Sequence, residues 1–359
     1  MNNESGRVFI WGFVSFSSAI LESKKIAWEV VRDMQTKRNL SIDEAASLLL
    51  AGDVVAIPTE TVYGLAADAR SDEAVSKIFT AKGRPSDNPL IVHIADENQL
   101  KDLVKGEISK QALKLVKTFW PGPLTIILPS SGFVSGLTTA GLETVAIRMP
   151  AHPVALELLR KIAIPIAAPS ANVSGRPSPT TTSHVLDDLD GKIAGVLDGG
   201  ACEFGLESTV IDMSTDVPII LRPGNISREM IESVIGLVEV SGAYEKVKPK
   251  SPGMKYRHYA PDAEVFVIDG SPEFFQNQIG QMQLDKKCVG VLCLDENLSK
   301  YQANFSLCCF DRGQKFYSAL REFDALGVDV ILCEFPMDAA LRNRVLKASE
   351  ERVIREVED

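Results

Sequence analysis

Hydroxyl-bearing turns and isolated cations recur where apolar runs end in this sequence. Thr59, Thr61 and Tyr63 follow the run DVVAIP at 53–58. In an α/β sheet the ends of strands are where ligands bind, and three hydroxyls beside Gly64 exceed what a turn requires. Lys82, Arg84, Asn88 and His93 lie in AKGRPSDNPLIVH. Lys82 and Arg84 flank a glycine that ends a helical pattern, so both charges can converge on one anion. Cations at a helix C-terminus also arise from the dipole alone, but Pro85 and Pro89 stiffen this segment into fixed geometry. Ser170, Asn172, Ser174 and Ser178 lie in APSANVSGRPSPT, again after an apolar run. Short polar side chains around Gly175 can form a nest for an anion. Thr144 and Arg148 are four apart on a strand pattern and share a face, where an arginine among apolar residues needs an anionic partner. Ser208 and Thr209 in LESTVID and Arg222 in LRPG repeat the theme.

Each segment has a plainer reading as a Ser/Thr turn, a Pro/Ser loop or a surface ion pair. Together they place Lys82, Arg84, Arg148 and Arg222 with many hydroxyls in an acidic chain. Its 38 Lys and Arg against 48 Asp and Glu give a formal net charge of −10. That balance argues against coating nucleic acid or an anionic membrane, and favours a focused pocket for a polyanion such as a nucleoside triphosphate.

The common nucleotide and hydrolase signatures GxxxxGK[ST], GxGxxG after a strand, HExxH and GxSxG are missing. His93, His152, His184 and His258 are not at metal-ligand spacing, so no tightly held protein metal is expected. The 6 cysteines form no CxxC pair and read as reduced thiols of a cytoplasmic protein. No run of 18 apolar residues predicts a membrane-spanning helix. Residues 8–21 (VFIWGFVSFSSAIL) have the length of a signal-peptide core but poor charged flanks. Residues 1–40 therefore read as an N-terminal extension of unknown role, with Met34 as an alternative start.

The elements that must position these side chains are legible. Ser41 and Glu44 have capping-box spacing at the head of a helix that Gly52 stops. Helical patterns follow near 72–81, 97–104, 109–119, 153–162 and 227–235. Between them lie strand-like runs at 53–57, 90–94, 124–128, 144–149, 164–168, 208–212 and 218–221. The irregular mixture predicts a twisted mixed sheet with helices. Residues 241–262 read as a linker. Beyond it, short apolar strands at 264–268, 288–294, 305–310 and 328–334 alternate with helices near 272–281, 313–326 and 338–348, predicting a small parallel α/β domain. The expected division is 1–40 extension, 41–240 first domain, 241–262 linker, 263–359 second domain.

In order along the chain, IPTETVYGLAADA, AKGRPSDNPLIVHI, FWPGPLTIIL, TVAIRMPAHP, APSANVSGRPSPT, STVID and LRPG resemble the threonylcarbamoyl-AMP synthase family over roughly 41–236. SPGMKYRHYAP at 251–261 is similar to the linker of the family's two-domain form. Ala66 stands where the family more often has glycine. The resemblance implies a YrdC-like domain followed by a Rossmann-like one. It implies synthesis of threonylcarbamoyl-AMP and pyrophosphate from L-threonine, bicarbonate or CO2, and ATP with Mg2+. The product would pass to a tRNA threonylcarbamoyl transferase complex that modifies the adenosine beside the anticodon. Lys82, Arg84, Ser170 and Asn172 would be the Lys-x-Arg and Ser-x-Asn catalytic set. Arg84, Asn88, Thr144, Ser170, Ser178, Arg222 and Tyr256 would bind ATP, with Tyr256 in a lid. Thr61, His93, Arg148, Ala168 and Ser208 would bind L-threonine. Two alternatives stand beside this reading: a YrdC-like enzyme using carbamoyl phosphate, which the missing CxxC motifs oppose, and an RNA-binding module, which the net charge opposes as the main role while leaving weak RNA binding open.

Overall fold

The computed structural model describes residues 35–241, 258–308 and 315–357. Tyr256 and the segment 242–257 lie outside them, as do residues 1–34. Helix α1 (Ile42–Leu50) opens with the expected capping box: the Ser41 hydroxyl accepts from the Glu44 amide, and the Glu44 carboxylate accepts from the Ser41 amide at 2.9 Å. Gly52, at φ 84°, turns the chain out of the helix through a left-handed backbone that glycine adopts without strain.

Ten strands form one mixed sheet. In chain order they are β1 (Val55–Ile57), β2 (Gly64–Asp68), β3 (Ile91–His93), β4 (Leu124–Pro129), β5 (Thr144–Arg148), β6 (Ile166–Ala167), β7 (Gly195–Val196), β8 (Thr209–Asp212), β9 (Ile219–Arg222) and β10 (Glu239–Val240). Their spatial order is β10-β9-β8-β4-β5-β3-β6-β2-β1-β7. Helices α2 (Asp72–Lys82), α3 (Leu100–Leu103), α4 (Lys110–Phe119), α5 (Pro153–Ile162), α6 (Thr182–Leu189) and α7 (Arg228–Ile235) complete this part. Both faces of the central strands are buried, so alternate residues enter different clusters: Val92, Ile126 and Ile147 in one, Ile91, Ile127, Ala146 and Val210 in another. Helix α4 buries Ala112, Leu115 and Val116, one stripe of a 3.6-residue period.

The structure adds elements that the sequence patterns did not suggest. Strand β2 (GLAAD) lacks the branched and aromatic residues of typical strands. It forms because it fits between β1 and β6: a Cβ on Gly64 would stand 3.2 Å from the Ala168 Cβ. Strands β7 and β10 are two residues each, and α6 follows the Pro/Ser loop. The predicted helix at 97–104 resolves into a 3-10 turn, Glu97–Gln99, and the short α3, with Asp96 capping the turn.

The second sheet comprises β11 (Glu264–Asp269), β12 (Val289–Cys293), β13 (Phe305–Cys308), β14 (Val330–Glu334) and β15 (Val353–Arg355), with helices α8 (Pro272–Leu284), α9 (Phe316–Ala325) and α10 (Ala339–Ala348). Its order is β13-β12-β14-β11-β15 and every pairing is parallel, the pattern of a Rossmann-like unit. The two parts pack through a shared apolar cluster in which Val62 and Leu206 of the first meet Tyr259, Tyr317 and Leu320. Among the described residues no helix is long and apolar enough to cross a membrane.

Candidate functional site

Strand register gathers the site. β3 pairs with β5 so that His93 is level with Arg148 and Ile91 with Ala146. β4 pairs with β8 so that Thr125 is level with Val210. Because faces alternate, His93, Thr125, Arg148 and Ser208 lie two residues beyond the apolar group Ile91, Ile127, Ala146 and Val210, on the same face. That face therefore changes from apolar to polar at one end, and there a pocket opens. Its lining includes Thr61, Arg84, His93, Arg148, Ala168, Ser170, Ser208 and Arg222 of the residues singled out from sequence.

Arg148 is the centre of the amino-terminal half of the site. Its side chain is 4% exposed; it donates to the Thr61 hydroxyl at 2.9 Å and to the Gly122 carbonyl at 3.2 Å. Its third partner is the carboxylate of Glu60, at 2.6 Å and equally buried. Thr59 shapes this turn: its hydroxyl donates to the Val62 carbonyl and accepts from the Thr61 and Val62 amides. His93 hydrogen-bonds through Nδ1 to the Ile91 carbonyl at 3.2 Å, an oxygen that can only accept. Nδ1 therefore carries the proton and Nε2 keeps its lone pair. Burial, reinforced by the charge of Arg148, pushes His93 down to about 3, so the ring is neutral.

Lys82 ends α2 and is 2% exposed. Its ammonium donates to the carbonyls of Ser170 and Asn172, the latter at 2.6 Å. Lysine and loop thus fix one another, and burial together with Arg84 holds Lys82 well below the ordinary lysine range. Asn172 donates to the Val173 and Arg176 carbonyls, closing the turn at Gly175, which has φ 94°. Arg84 donates to the carbonyls of Asn88 and Pro89, bending that loop back on itself. The Asn88 side-chain oxygen is buried without a hydrogen-bond partner. Thr144 opens β5, four residues before Arg148, at the other end of that strand. Lys82, Asn88, Thr144, Asn172 and Ser178 do not line the pocket itself.

Ser208 and Arg222 form the other wall. Arg222 donates to the Ser208 carbonyl and hydroxyl, each at 3.1 Å, and the hydroxyl also meets Thr125 at 2.7 Å. Next to them stands Glu207, which sequence reasoning passed over. It accepts from the Ser178 hydroxyl at 2.6 Å, from Tyr317 at 2.9 Å and from Arg344 at 2.8 Å, the last two carried by α9 and α10. Burial alone would raise this carboxyl; the charges of Arg344 and Arg222 and the Ser178 bond outweigh it and hold Glu207 down to about 2. Arg321 of α9 makes a second buried bridge, to Asp188 at 2.9 Å. His258 and Tyr259 also line the pocket, and burial with the nearby Arg84 lowers His258 to about 3. Glu60 was missed as well, although its place between two threonines of PTET was a usable signal; nothing in the sequence marked Arg344. Among the described residues no group of three or more His, Cys, Asp or Glu could hold a metal ion.

A mixed α/β sheet with a buried, cation-lined pocket, backed by a parallel-sheet unit, is the class of protein that fold and site define. A family model described as "Telomere recombination" matches residues 47–224, and one described as "Threonylcarbamoyl-AMP synthase, C-terminal domain" matches 226–350. The threonylcarbamoyl-AMP synthase of Bacillus subtilis (strain 168) is 51% identical over 338 residues, covering 90% of this chain and 97% of its own length. That of Pyrococcus abyssi (strain GE5 / Orsay) is 47% identical, covering 87% and 94%. The crystal structure of P. abyssi Sua5 complexed with L-threonine matches with a TM-score of 0.84 and 45% identity, covering 90% of this chain and 99% of that one. The chain belongs to the threonylcarbamoyl-AMP synthase family.

Proposed function

We propose that the protein makes threonylcarbamoyl-adenylate from L-threonine, bicarbonate or CO2, and ATP, releasing pyrophosphate. The observation that carries this reading is Arg148: a buried guanidinium at one end of a pocket whose other lining cations are Arg84 and Arg222. A guanidinium matches a carboxylate bidentately, and two further arginines suit a polyphosphate. Arg148, Thr61, neutral His93, the Ala168 backbone and Ser208 hold L-threonine. Arg84, Asn88, Thr144, Ser170, Arg222 and, by the family resemblance, Tyr256 hold ATP. Ser178 contributes through Glu207, which its hydroxyl binds.

Threonine's amine and CO2 form a carbamate. A carbamate oxygen attacks the α-phosphorus of ATP, the bond from that phosphorus to the bridging oxygen breaks, and pyrophosphate leaves. Such transfer needs positioning and charge stabilisation rather than a protein nucleophile. Lys82, tied to the backbone of Ser170 and Asn172, keeps the phosphate-facing loop in shape. ATP enters as its magnesium complex, the ion held mainly by phosphate oxygens and water. The mixed anhydride then passes to a tRNA threonylcarbamoyl transferase in the cytoplasm. Sheet membership supports a catalytic domain at 41–240 and a second domain at 263–359. The family resemblance implies a lid role for the linker at 241–262, of which 242–257 lie outside the described residues.

The test is incubation of the protein with ATP, Mg2+, L-threonine and 13C-bicarbonate, read by mass spectrometry and pyrophosphate release. Labelled threonylcarbamoyl-AMP that requires both threonine and bicarbonate is expected. Pyrophosphate release independent of threonine, or a requirement for carbamoyl phosphate, would overturn the reading.

A further inference from the structure

In the second sheet β12 leads on to β13 at one edge, while β14 leads on to β15 at the other. The exit loops therefore part between β12 and β14, and a doubly wound sheet opens a crevice at such a point, outside the carboxyl ends of its strands. The crevice there has a volume of about 410 Å³. Sites for small organic ligands begin at about 300 Å³. It shares no lining residue with the pocket around Arg148.

The charged residues that line it are all acidic. Ile268, Phe275, Phe335 and Leu341 supply apolar surface, with Phe275 stacked on Tyr301 at a centroid distance of 4.4 Å. Asp269, Glu334 and Asp338 supply carboxylates. Glu334 is fixed by the Leu294 amide at 2.7 Å, the Asn297 amide group at 2.8 Å and the Tyr301 hydroxyl at 2.6 Å. Asp338 caps α10, accepting from the Leu341 amide at 2.7 Å. Asp269 meets Arg355 at 3.3 Å, on an arginine side chain that is 68% exposed. Arg342 holds the rim by donating to the Pro336 and Met337 carbonyls at 2.8 and 2.9 Å. A phosphate would ordinarily seek the N-terminus of α8 beside this crevice. That place is taken: Glu356 accepts from the Ser271 amide at 2.6 Å and from its hydroxyl at 2.9 Å. Acidic rim and occupied helix end together disfavour nucleotides and other anions.

We propose that this crevice is a binding site for a small organic cation, an ammonium head on an apolar body. The head lies among Asp269, Glu334 and Asp338, and the body over Phe275, Phe335 and Leu341. Carboxylates and aromatic faces both stabilise an ammonium group, and the apolar floor selects against a bare inorganic ion.

The experiment titrates the full chain with phenethylamine by calorimetry and saturation-transfer NMR, beside 3-phenylpropionate and 2-phenylethanol as anionic and neutral bodies of similar shape. For so small a ligand a Kd on the order of 1 mM is expected. The carboxylate should bind about tenfold more weakly or not at all. The double variant D269N/D338N keeps side-chain shape, and asparagine caps a helix as well as aspartate. It should weaken phenethylamine about fivefold and leave 2-phenylethanol unchanged. If the pair lowers the melting temperature, Asp338→Asn alone is read in the same way. Equal binding of amine and carboxylate, unchanged amine binding in the variants, or a co-crystal with the probe elsewhere would overturn the proposal.

Discussion

Replacing Arg344 with methionine tests how the second sheet supports the first. Arg344 is 0% exposed and gives three groups to the other part of the chain: the Glu207 carboxylate at 2.8 Å, the Pro223 carbonyl at 2.7 Å and the Glu207 carbonyl at 3.2 Å. Methionine fills much of the space but leaves the buried Glu207 carboxylate without this ion pair, with the hydrogen bonds from Ser178 and Tyr317 and the charge of Arg222 still present. Holding Glu207 at about 2 instead of 4.5 corresponds to about 3 kcal/mol at neutral pH. Removing one partner of a buried pair costs about 3–5 kcal/mol, and the hydrogen bonds that remain place this case at the lower end. Urea unfolding at pH 7 should therefore show Arg344→Met destabilised by about 3 kcal/mol. Folding depresses the pKa of Glu207, so its contribution is complete above 4.5 and is lost as pH falls toward about 2. In the variant that acid-linked step should shrink, and combining it with Glu207→Gln should reveal a coupling of about 1.5 kcal/mol or more. A loss below about 1 kcal/mol, together with an unchanged acid profile, would refute the reasoning.

Arg148→Ala removes the proposed partner of the threonine carboxylate and also leaves Glu60 without its counterion; in the variant that urea unfolding shows to be folded, the KM for L-threonine should rise about 30-fold or more while that for ATP moves less than about threefold, measured by pyrophosphate release. Equal losses would count against the division of the pocket. Lys82→Met preserves shape but leaves the Ser170 and Asn172 carbonyls without this donor, so stability by urea should fall by about 1–3 kcal/mol while activity falls about 100-fold, because the 170–172 loop loses its tether. His93 stays neutral when folded, down to about 3, yet takes a proton near 6.5 when unfolded, so it costs stability as pH falls across that window. His93→Gln should flatten the stability slope between pH 6 and 4 by about 1.4 kcal/mol per pH unit; an unchanged slope would show that the ring is protonated in the fold.

Most elements around the site were legible because they are local. The capping box at Ser41, the amphipathic stripe of α4 and the branched runs of β4, β5 and β8 each express their structure within a few residues. Strand β2 was not legible, since GLAAD acquires strand form only from β1 and β6 on either side. The short β7 and β10 likewise depend on neighbours distant in sequence.

The same line divides the site. The sequence by itself determined which chemical groups are available and that Thr144 and Arg148 share a strand face, because alternation is a property of a single strand. Only the tertiary structure decided that His93 stands level with Arg148, that Glu60 is the buried counterion of Arg148, and that Glu207 is clamped by Arg344 from 137 residues further along the chain. Register between strands and the burial of a charge are set by which surfaces meet. A carboxylate in PTET or LEST carries no mark of its partner until packing removes water and leaves one cation within reach.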